Sequence, residues 1–418
     1  MLQTLRSAMR ISDLRRRILF TLWMFLIFRI GTHIPVPGID NARIEELFQS
    51  GSLFGLLDIF SGGAFKAFSV FAMSITPYIN SSIIVQLLTV VIPAWEKLQK
   101  EGPEGRKRLQ QYVRYGTVIL GLIQAFGMSY GLRAAVIDST FWSIALIALT
   151  LTAGTAFLMW MGELITERGI GNGISLIIFA GIVSRLPAGA ATIWTYLSAG
   201  SISILSILVL AVIAVFVLAA VIWMQEGQRR VPVQYAKRVV GRRYYGGQST
   251  HMPIRVNTAG VIPVIFSTSL LAVPVTIAQF VNAPWAQKLG DIFSFSGPFY
   301  ITANALLILF FTYFYTAIQF NPMNVANDLK KWGGFIPGIR PGRPTAEYFS
   351  RITSRITLLG AVFLAIIAAV LPWAVQVVTG VNVYFGGTAL LIVVGVALET
   401  MKQIEVHLVM RHYQGFLR

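Results

Sequence analysis

Residues 201–224 read Ser-Ile-Ser-Ile-Leu-Ser-Ile-Leu-Val-Leu-Ala-Val-Ile-Ala-Val-Phe-Val-Leu-Ala-Ala-Val-Ile-Trp-Met, and no charged side chain occurs between Leu186 and Gln225. As a helix rising about 1.5 Å per residue, this run reaches roughly 36 Å, enough to cross a hydrocarbon layer of about 30 Å with some tilt. Arg229, Arg230, Lys237, Arg238, Arg242 and Arg243 follow at once, a concentration of positive charge that resists translocation and marks the cytoplasmic side.

The same logic runs through the whole chain of 418 residues, of which 55% are apolar and only 12% charged. A soluble domain carries about twice that charge fraction, so the composition indicates a polytopic membrane protein. The net charge of +17 is informative through its placement rather than its sum. Cysteine is absent, which excludes disulfide and thiolate chemistry. Arg15, Arg16 and Arg17 before the apolar run 18–30 resemble the start of a secretory signal. The following Gly31-Thr-His-Ile-Pro-Val-Pro37 is not a cleavage site, which predicts a retained first span with a cytoplasmic N-terminus.

Further charge-free windows lie at 67–95, 115–132, 139–162, 169–184, 256–287, 292–327 and 356–398. The last is too long for one crossing, and Pro372, Gly380 and Gly386-Gly387 are expected to break it into spans near 356–376 and 383–400. The reading is an all-α polytopic membrane protein with ten transmembrane helices. The span near 173–190 is the weakest, with Arg185 and Pro187 inside it. Loop 225–256 carries Arg229, Arg230, Lys237, Arg238, Arg242, Arg243 and Arg255, and loop 321–355 carries Lys330, Lys331, Arg340, Arg343, Arg351 and Arg355. Segment 31–66 has only Arg43 and Lys66 beside four carboxylates. Ten spans drawn from a cytoplasmic N-terminus put every basic loop inside and return the C-terminus to the cytoplasm. The chain then divides into residues 1–190 and 191–418, two five-helix halves in inverted orientation around a central pore.

The spans hold none of the carboxylates, histidines or lysines that ion-coupled transporters use. Arg29 and Arg185 lie near outer ends and are expected to snorkel. His33, His251, His407 and His412 lack ligand spacing, so neither a metal site nor a cofactor nor enzymatic catalysis is expected. Gly169-Ile-Gly-Asn-Gly173 has no strand before it and reads as a turn, and Asn321-Pro322 reads as a helix start. Ile75, Ile79, Ser82 and Gln86 on the second span share a helical face, as do Asn257, Val261, Ile265 and Thr268 on the seventh. Such stripes fit either ordinary interhelical packing or a channel wall with a dry constriction. Residues 53–63 are apolar yet too short to cross, which fits a surface cap or a re-entrant segment. Arg230-Val-Pro-Val-Gln-Tyr-Ala-Lys237 alternates like a β-ribbon that continues into Arg242-Arg-Tyr-Tyr245. It is either a topology signal beside anionic lipid or a docking arm for phosphates.

From Leu14 to Leu408 the chain resembles the SecY family, central subunits of Sec protein-conducting channels, in its bacterial branch. The resemblance is carried by Phe28-Arg-Ile-Gly-Thr-His-Ile-Pro-Val-Pro-Gly-Ile39, Phe60-Ser-Gly-Gly63, Pro77-Tyr-Ile79 with Gln86-Leu-Leu-Thr-Val90, Ile165-Thr-Glu-Arg-Gly-Ile-Gly-Asn-Gly-Ile174, Tyr235-Ala-Lys-Arg238, Pro337-Gly-Ile-Arg-Pro-Gly342 and Tyr384-Phe-Gly-Gly-Thr388. A short C-terminal tail and a modest outer loop before the eighth span are departures that touch no motif. The resemblance implies a pore ring of Ile75, Ile79, Ile178, Ile265 and Ile392. It implies a plug at 53–66 including Leu53, Phe54, Leu57, Ile59, Phe60, Gly62 and Gly63. It also implies a lateral gate with Ser82, Gln86, Asn257 and Val261, and docking loops with Lys237, Arg238, Arg242, Arg243 and Arg340. Implied partners are SecE-like and SecG-like small membrane subunits, the ribosome through its RNA phosphates, the SecA motor, the translocating polypeptide with its signal sequence, and anionic lipids. The implied location is the bacterial cytoplasmic membrane, and the implied activity is polypeptide translocation with lateral release of signal helices. The alternative from topology alone is an inverted-repeat secondary transporter of a small solute.

Overall fold

The computed structural model describes residues 9, 11–40, 43–44, 62–138, 140–200, 203–235, 238–240, 243–245, 249–280, 284–293, 297–379 and 387–415. The expected plug residues Leu53, Phe54, Leu57, Ile59 and Phe60, the loop residues Lys237 and Arg242, and the motif Tyr384-Phe-Gly-Gly at its first three positions lie outside them.

Helices dominate: α1 (Ser12–Gly31), α2 (Thr76–Val91), α3 (Pro93–Lys100), α4 (Pro103–Gly131), α5 (Phe141–Arg168), α6 (Gly173–Ser184), α7 (Leu186–Ser198) and α8 (Ile204–Glu226). After a stretch of β-structure come α9 (Ile262–Phe280), α10 (Pro284–Ile292), α11 (Pro298–Gln319), α12 (Pro322–Lys331), α13 (Arg343–Ala365), α14 (Leu371–Thr379) and α15 (Gly387–Gly415). Among the described residues five helical stretches are long and apolar enough to cross a membrane: Phe141–Arg168, Gly173–Thr195, Ile204–Glu226, Pro298–Lys331 and Arg343–Val375. The pair Thr76–Val91 and Pro93–Lys100, bent by 101°, makes a sixth if it counts as one span. By this measure of length and composition the described residues show five or six crossings, which leaves the ten read from charge-free windows untested.

Burial sorts these helices. In α5, Ile144, Ile147, Ala148, Leu151, Leu158, Met161 and Ile165 repeat at helical spacing and are buried, so α5 is interior. In α8 only Val217, Val221 and Met224 are buried, while Leu205, Leu208, Val212, Val215, Phe216 and Trp223 are exposed. A face so apolar has its stable surroundings in lipid. α4 packs on α5 and α2, α11 on α13 and α9, and α8 on α15. The two groups meet where α9 touches α2 and α4 and where α15 touches α6. Between α4 and α5, Arg114 grips Glu163 with both carboxylate oxygens engaged, Nε–Oε1 at 2.8 Å and Nη2–Oε2 at 2.7 Å.

Two boundaries differ from the charge-free windows. The second span is helical only from Thr76, because 62–75 is a buried, non-helical segment. It is held by backbone bonds from Val36 N to Phe68 O and from Val70 N to Ile34 O, both 3.0 Å. Phe68 and Ser74 take positive φ angles of 39° and 53° there, and Gly154 lets the Val70 carbonyl lie flat on α5, where any side chain would collide. The seventh span begins at Ile262, so Asn257 and Val261 precede the helix in a turn with Gly260 at φ 65°. Pro372, read as one of the breaks in the last window, lies inside the ninth span, as the expected bounds 356–376 already had it. A π-helical turn at Ile366–Val370 widens the backbone around Ala368, whose carbonyl a proline ring four residues on would strike. Other expectations match: Asn172 caps α6 by accepting from Ile174 N and Ser175 N, and Asn321 caps α12 in the same way. Arg185 and Pro187 fall at the junction of α6 and α7.

The β-structure comprises β1 (Gln228–Tyr235), β2 (Arg238–Val240), β3 (Arg243–Tyr245), β4 (Ser249–Arg255) and β5 (Gly334–Phe335). β1 pairs antiparallel with β4 and with β5. Strand alternation buries Val231 and Val233, and Val231 packs with Ile254, Ile336 and the fully buried Phe349. The two basic loops are thus one body with its own small core. Phe349→Ala should cost that core about 3–5 kcal/mol. Trypsin cleavage within 225–256 should accelerate in the variant while cleavage elsewhere is unchanged.

Candidate functional site: an apolar ring and its polar vestibule

Ile75, Ile178, Ile265 and Ile392 come from four separate elements and belong to one buried cluster, with the partly buried Ile79 packed against it. Each is placed by local structure. Ile75 is the N-cap of α2 at the end of the buried 62–75 segment, and its carbonyl accepts from Ile79 N at 3.1 Å. Ile178 sits on the Asn172-capped α6, Ile265 on the first turn of α9, and Ile392 on α15.

Two clefts lined by polar groups lie side by side here, and the smaller is bordered by three of these isoleucines. One of about 380 Å³ is bordered by Ser82 and Gln86 together with Ile79, Ile178 and Ile265, and by Glu163 and Glu167. The other, about 440 Å³, is bordered by Asn257 and Val261 with Gln225, Gly395, Glu399 and Lys402. Asn172, Ser175 and Ile262 border both. The residues read as a lateral gate therefore fall on neighbouring walls. Asn257 Nδ2 donates to Gly260 O at 3.0 Å, while among the described residues Asn257 Oδ1 and Gln86 Oε1 have no partner.

What closes the boundary between α2 and the α9–α11 pair is apolar. Ile83, Phe266 and Phe311 form a buried cluster extended by Ile79, Leu87, Ile262 and Leu307, and the rings of Phe266 and Phe311 meet edge to face at 5.7 Å. Attention to polar residues missed this seam. Its signal in the sequence is Ile79, Ile83 and Leu87 at successive four-residue steps.

Arg29, expected to snorkel, instead donates from Nη1 to Gly62 O at 3.1 Å, which ties the first helix to the start of the buried segment. Gly62 (φ 68°) stands against the Gly181 backbone, and a Cβ there would lie 3.0 Å from Gly181 Cα. Gly63 (φ 93°) follows beside Arg185. In the basic loops Arg238 lies on β2 opposite Tyr245, and Arg243 on β3 opposite Val240. Arg340 is exposed, and its carbonyl accepts from Thr345 Oγ1 at 2.8 Å. Among the described residues no group of three His, Asp or Glu side chains is placed to hold a metal.

A family model described as SecY matches residues 69–401. A protein of Halalkalibacterium halodurans named Protein translocase subunit SecY is 48% identical over the full length of both chains. Among solved structures, a SecY protein whose plug domain stabilizes the closed state of the translocation channel and maintains a membrane seal has a TM-score of 0.68. It is 16% identical, over 93% of this chain and 91% of that one. Sec61 in the canine ribosome-channel complex from the endoplasmic reticulum is similar with a TM-score of 0.62, also 16% identical over 93% and 91%. These two share the fold. With the family model covering most of the sequence and near-half identity running end to end, the chain belongs to the SecY family.

Proposed function

We propose that this chain is the channel subunit of a protein translocase, conducting unfolded polypeptides across the cytoplasmic membrane and releasing signal and transmembrane helices sideways into it. The observation that carries the reading is the buried cluster of isoleucines from four elements beside a cleft lined by Ser82, Gln86 and Glu163. A chain of arbitrary sequence needs a wet approach without a strong binding site, whereas small ions must be excluded when the route is idle. Branched aliphatic side chains exclude water by dewetting, and they yield around a passing segment without specific bonds to break. The transporter alternative falls with the family assignment, and the channel needs no catalytic residue of its own.

In this reading ten spans form two inverted halves, 1–190 and 191–418, with both termini cytoplasmic. Ile75, Ile79, Ile178, Ile265 and Ile392 are the pore ring. Residues 53–66 are the plug, with the Gly62-Gly63 hinge held by Arg29. The lateral gate runs along Ser82, Gln86, Asn257 and Val261, and the apolar seam of Ile83, Leu87, Phe266 and Phe311 supplies most of its closing force. Burial of such side chains is worth about 1.5–3 kcal/mol each, yet lipid or a signal helix replaces the same contacts once the seam parts. The net preference for closure is therefore small enough for a bound signal to overturn. Lys237, Arg238, Arg242, Arg243 and Arg340, on loops joined by a common core, suit RNA phosphates of a ribosome or an acidic face of the SecA motor. SecE-like and SecG-like subunits and anionic lipid complete the assembly.

Replacing Ile79, Ile265 and Ile392 together by Ser should wet the constriction and raise the resting ion conductance of the assembled channel in planar bilayers. An unchanged leak would remove these residues from the barrier. A reversible crosslink between Cys introduced at Leu87 and Ile262 should pin the seam. Protease protection of a secretory precursor is expected to disappear on crosslinking and return on reduction, whereas full transport through a crosslinked channel would overturn the gate. Reversing Arg242 and Arg340 to Glu should weaken ribosome binding and flatten its dependence on log salt by about 1.5 units if each meets one phosphate. Binding with an unaltered salt slope would leave these arginines as topology signals only.

A further inference from the structure

The larger cleft contains two buried polar atoms of opposite sense that the fold does not satisfy. Asn257 is 6% exposed, and its Nδ2 is committed to the Gly260 carbonyl, which fixes the amide so that Oδ1 faces away as an acceptor. Gln225, at the end of α8, offers a donor in Nε2. Among the described residues neither atom has a hydrogen-bond partner, and both residues line the same cleft. Buried polar groups left unpaired are costly, so an orphan donor and an orphan acceptor in one cleft ask for an occupant that brings one of each. Gly395 lines the same cleft, and a Cβ there would stand 2.6 Å from Val261 Cγ1 and 3.3 Å from Gln225 Nε2, so a side chain at this position would crowd the cleft wall.

We infer that this cleft is a docking site for the main chain of an extended polypeptide, Asn257 Oδ1 taking a backbone N–H and Gln225 Nε2 donating to a backbone carbonyl. The inference rests on the channel reading above. Successive segments of a translocating chain share no side chain, but every segment carries the peptide group, and one residue of an extended strand presents its N–H and C=O along the same edge. Arg255, Glu399 and Lys402 on the cleft's border mix both signs of charge and so favour neither acidic nor basic substrates. Two ordinary hydrogen bonds hold such a segment weakly enough to let it advance.

The absence of cysteine supplies the test. In the assembled translocase, Gln403→Cys, on the border of the cleft, is paired with a secretory precursor arrested in transit whose single cysteine is moved one residue at a time. A main chain pinned as a strand turns successive side chains to opposite faces, so disulfide yield should alternate with a period of two, with about fivefold contrast. Gln225→Met, close in shape, should flatten the profile. Asn257→Leu, which removes the acceptor oxygen, should abolish the alternation. Where Asn257→Leu fails to assemble, Gln225→Met decides. A flat profile with the native cleft, or alternation that survives Gln225→Met, overturns the docking site while leaving the channel reading intact. A native complex that moves no polypeptide at all overturns the channel reading and this inference with it.

Discussion

A hydrated chain must cross a layer in which an unsatisfied polar group costs several kcal/mol, and every other feature of this protein answers that constraint. Ser82, Gln86, Glu163 and Asn257 line clefts of about 380 and 440 Å³, spaces large enough to hold water. The buried isoleucines Ile75, Ile178, Ile265 and Ile392 are drawn from four elements, so no single helix supplies this apolar centre.

The buried segment 62–75 shows what such a centre requires of its surroundings. It has no helical ladder, so its backbone groups are met by residues 34–36, by its own turns and by Arg29, and Gly154 makes room for one of its carbonyls. Two non-glycine residues accept positive φ angles there, a local cost that the packing of Phe68, Phe71 and Ile75 offsets. The reward is position: this segment delivers Ile75 to the ring and starts α2 immediately after it.

In the basic loops, charge is built on a shared architecture. Two loops that look independent, each rich in Lys and Arg, meet through β1, β4 and β5 around Val231, Ile254, Ile336 and Phe349. A shared core makes the basic surface rigid, and rigidity reduces the ordering cost of docking a large partner. Because β1 follows α8 directly and β4 leads into the turn before α9, a load on this surface acts on helices that border the vestibule.

Much of this was legible in the sequence because membrane insertion depends on local composition. Apolar runs, basic flanks and the caps at Asn172 and Asn321 act within a few residues, so the helical class and the turn at 169–172 follow from the chain itself. The isoleucines of the ring were nameable only through family resemblance, since an Ile facing lipid and an Ile facing a pore have the same neighbours in sequence. The tertiary structure decided what depends on distant partners. Packing of 62–75 against residues 34–36 and α5 shortened the second span, and a π-helical turn absorbed Pro372. The edge-to-face contact of Phe266 with Phe311 made the seam apolar where polar residues had drawn attention. Opposed orphan groups on Gln225 and Asn257 emerged only when α8 and the turn before α9 were brought to one cleft. Helix propensity and hydropathy act locally, but which faces meet is set by shape across the whole bundle, and no window of sequence contains it.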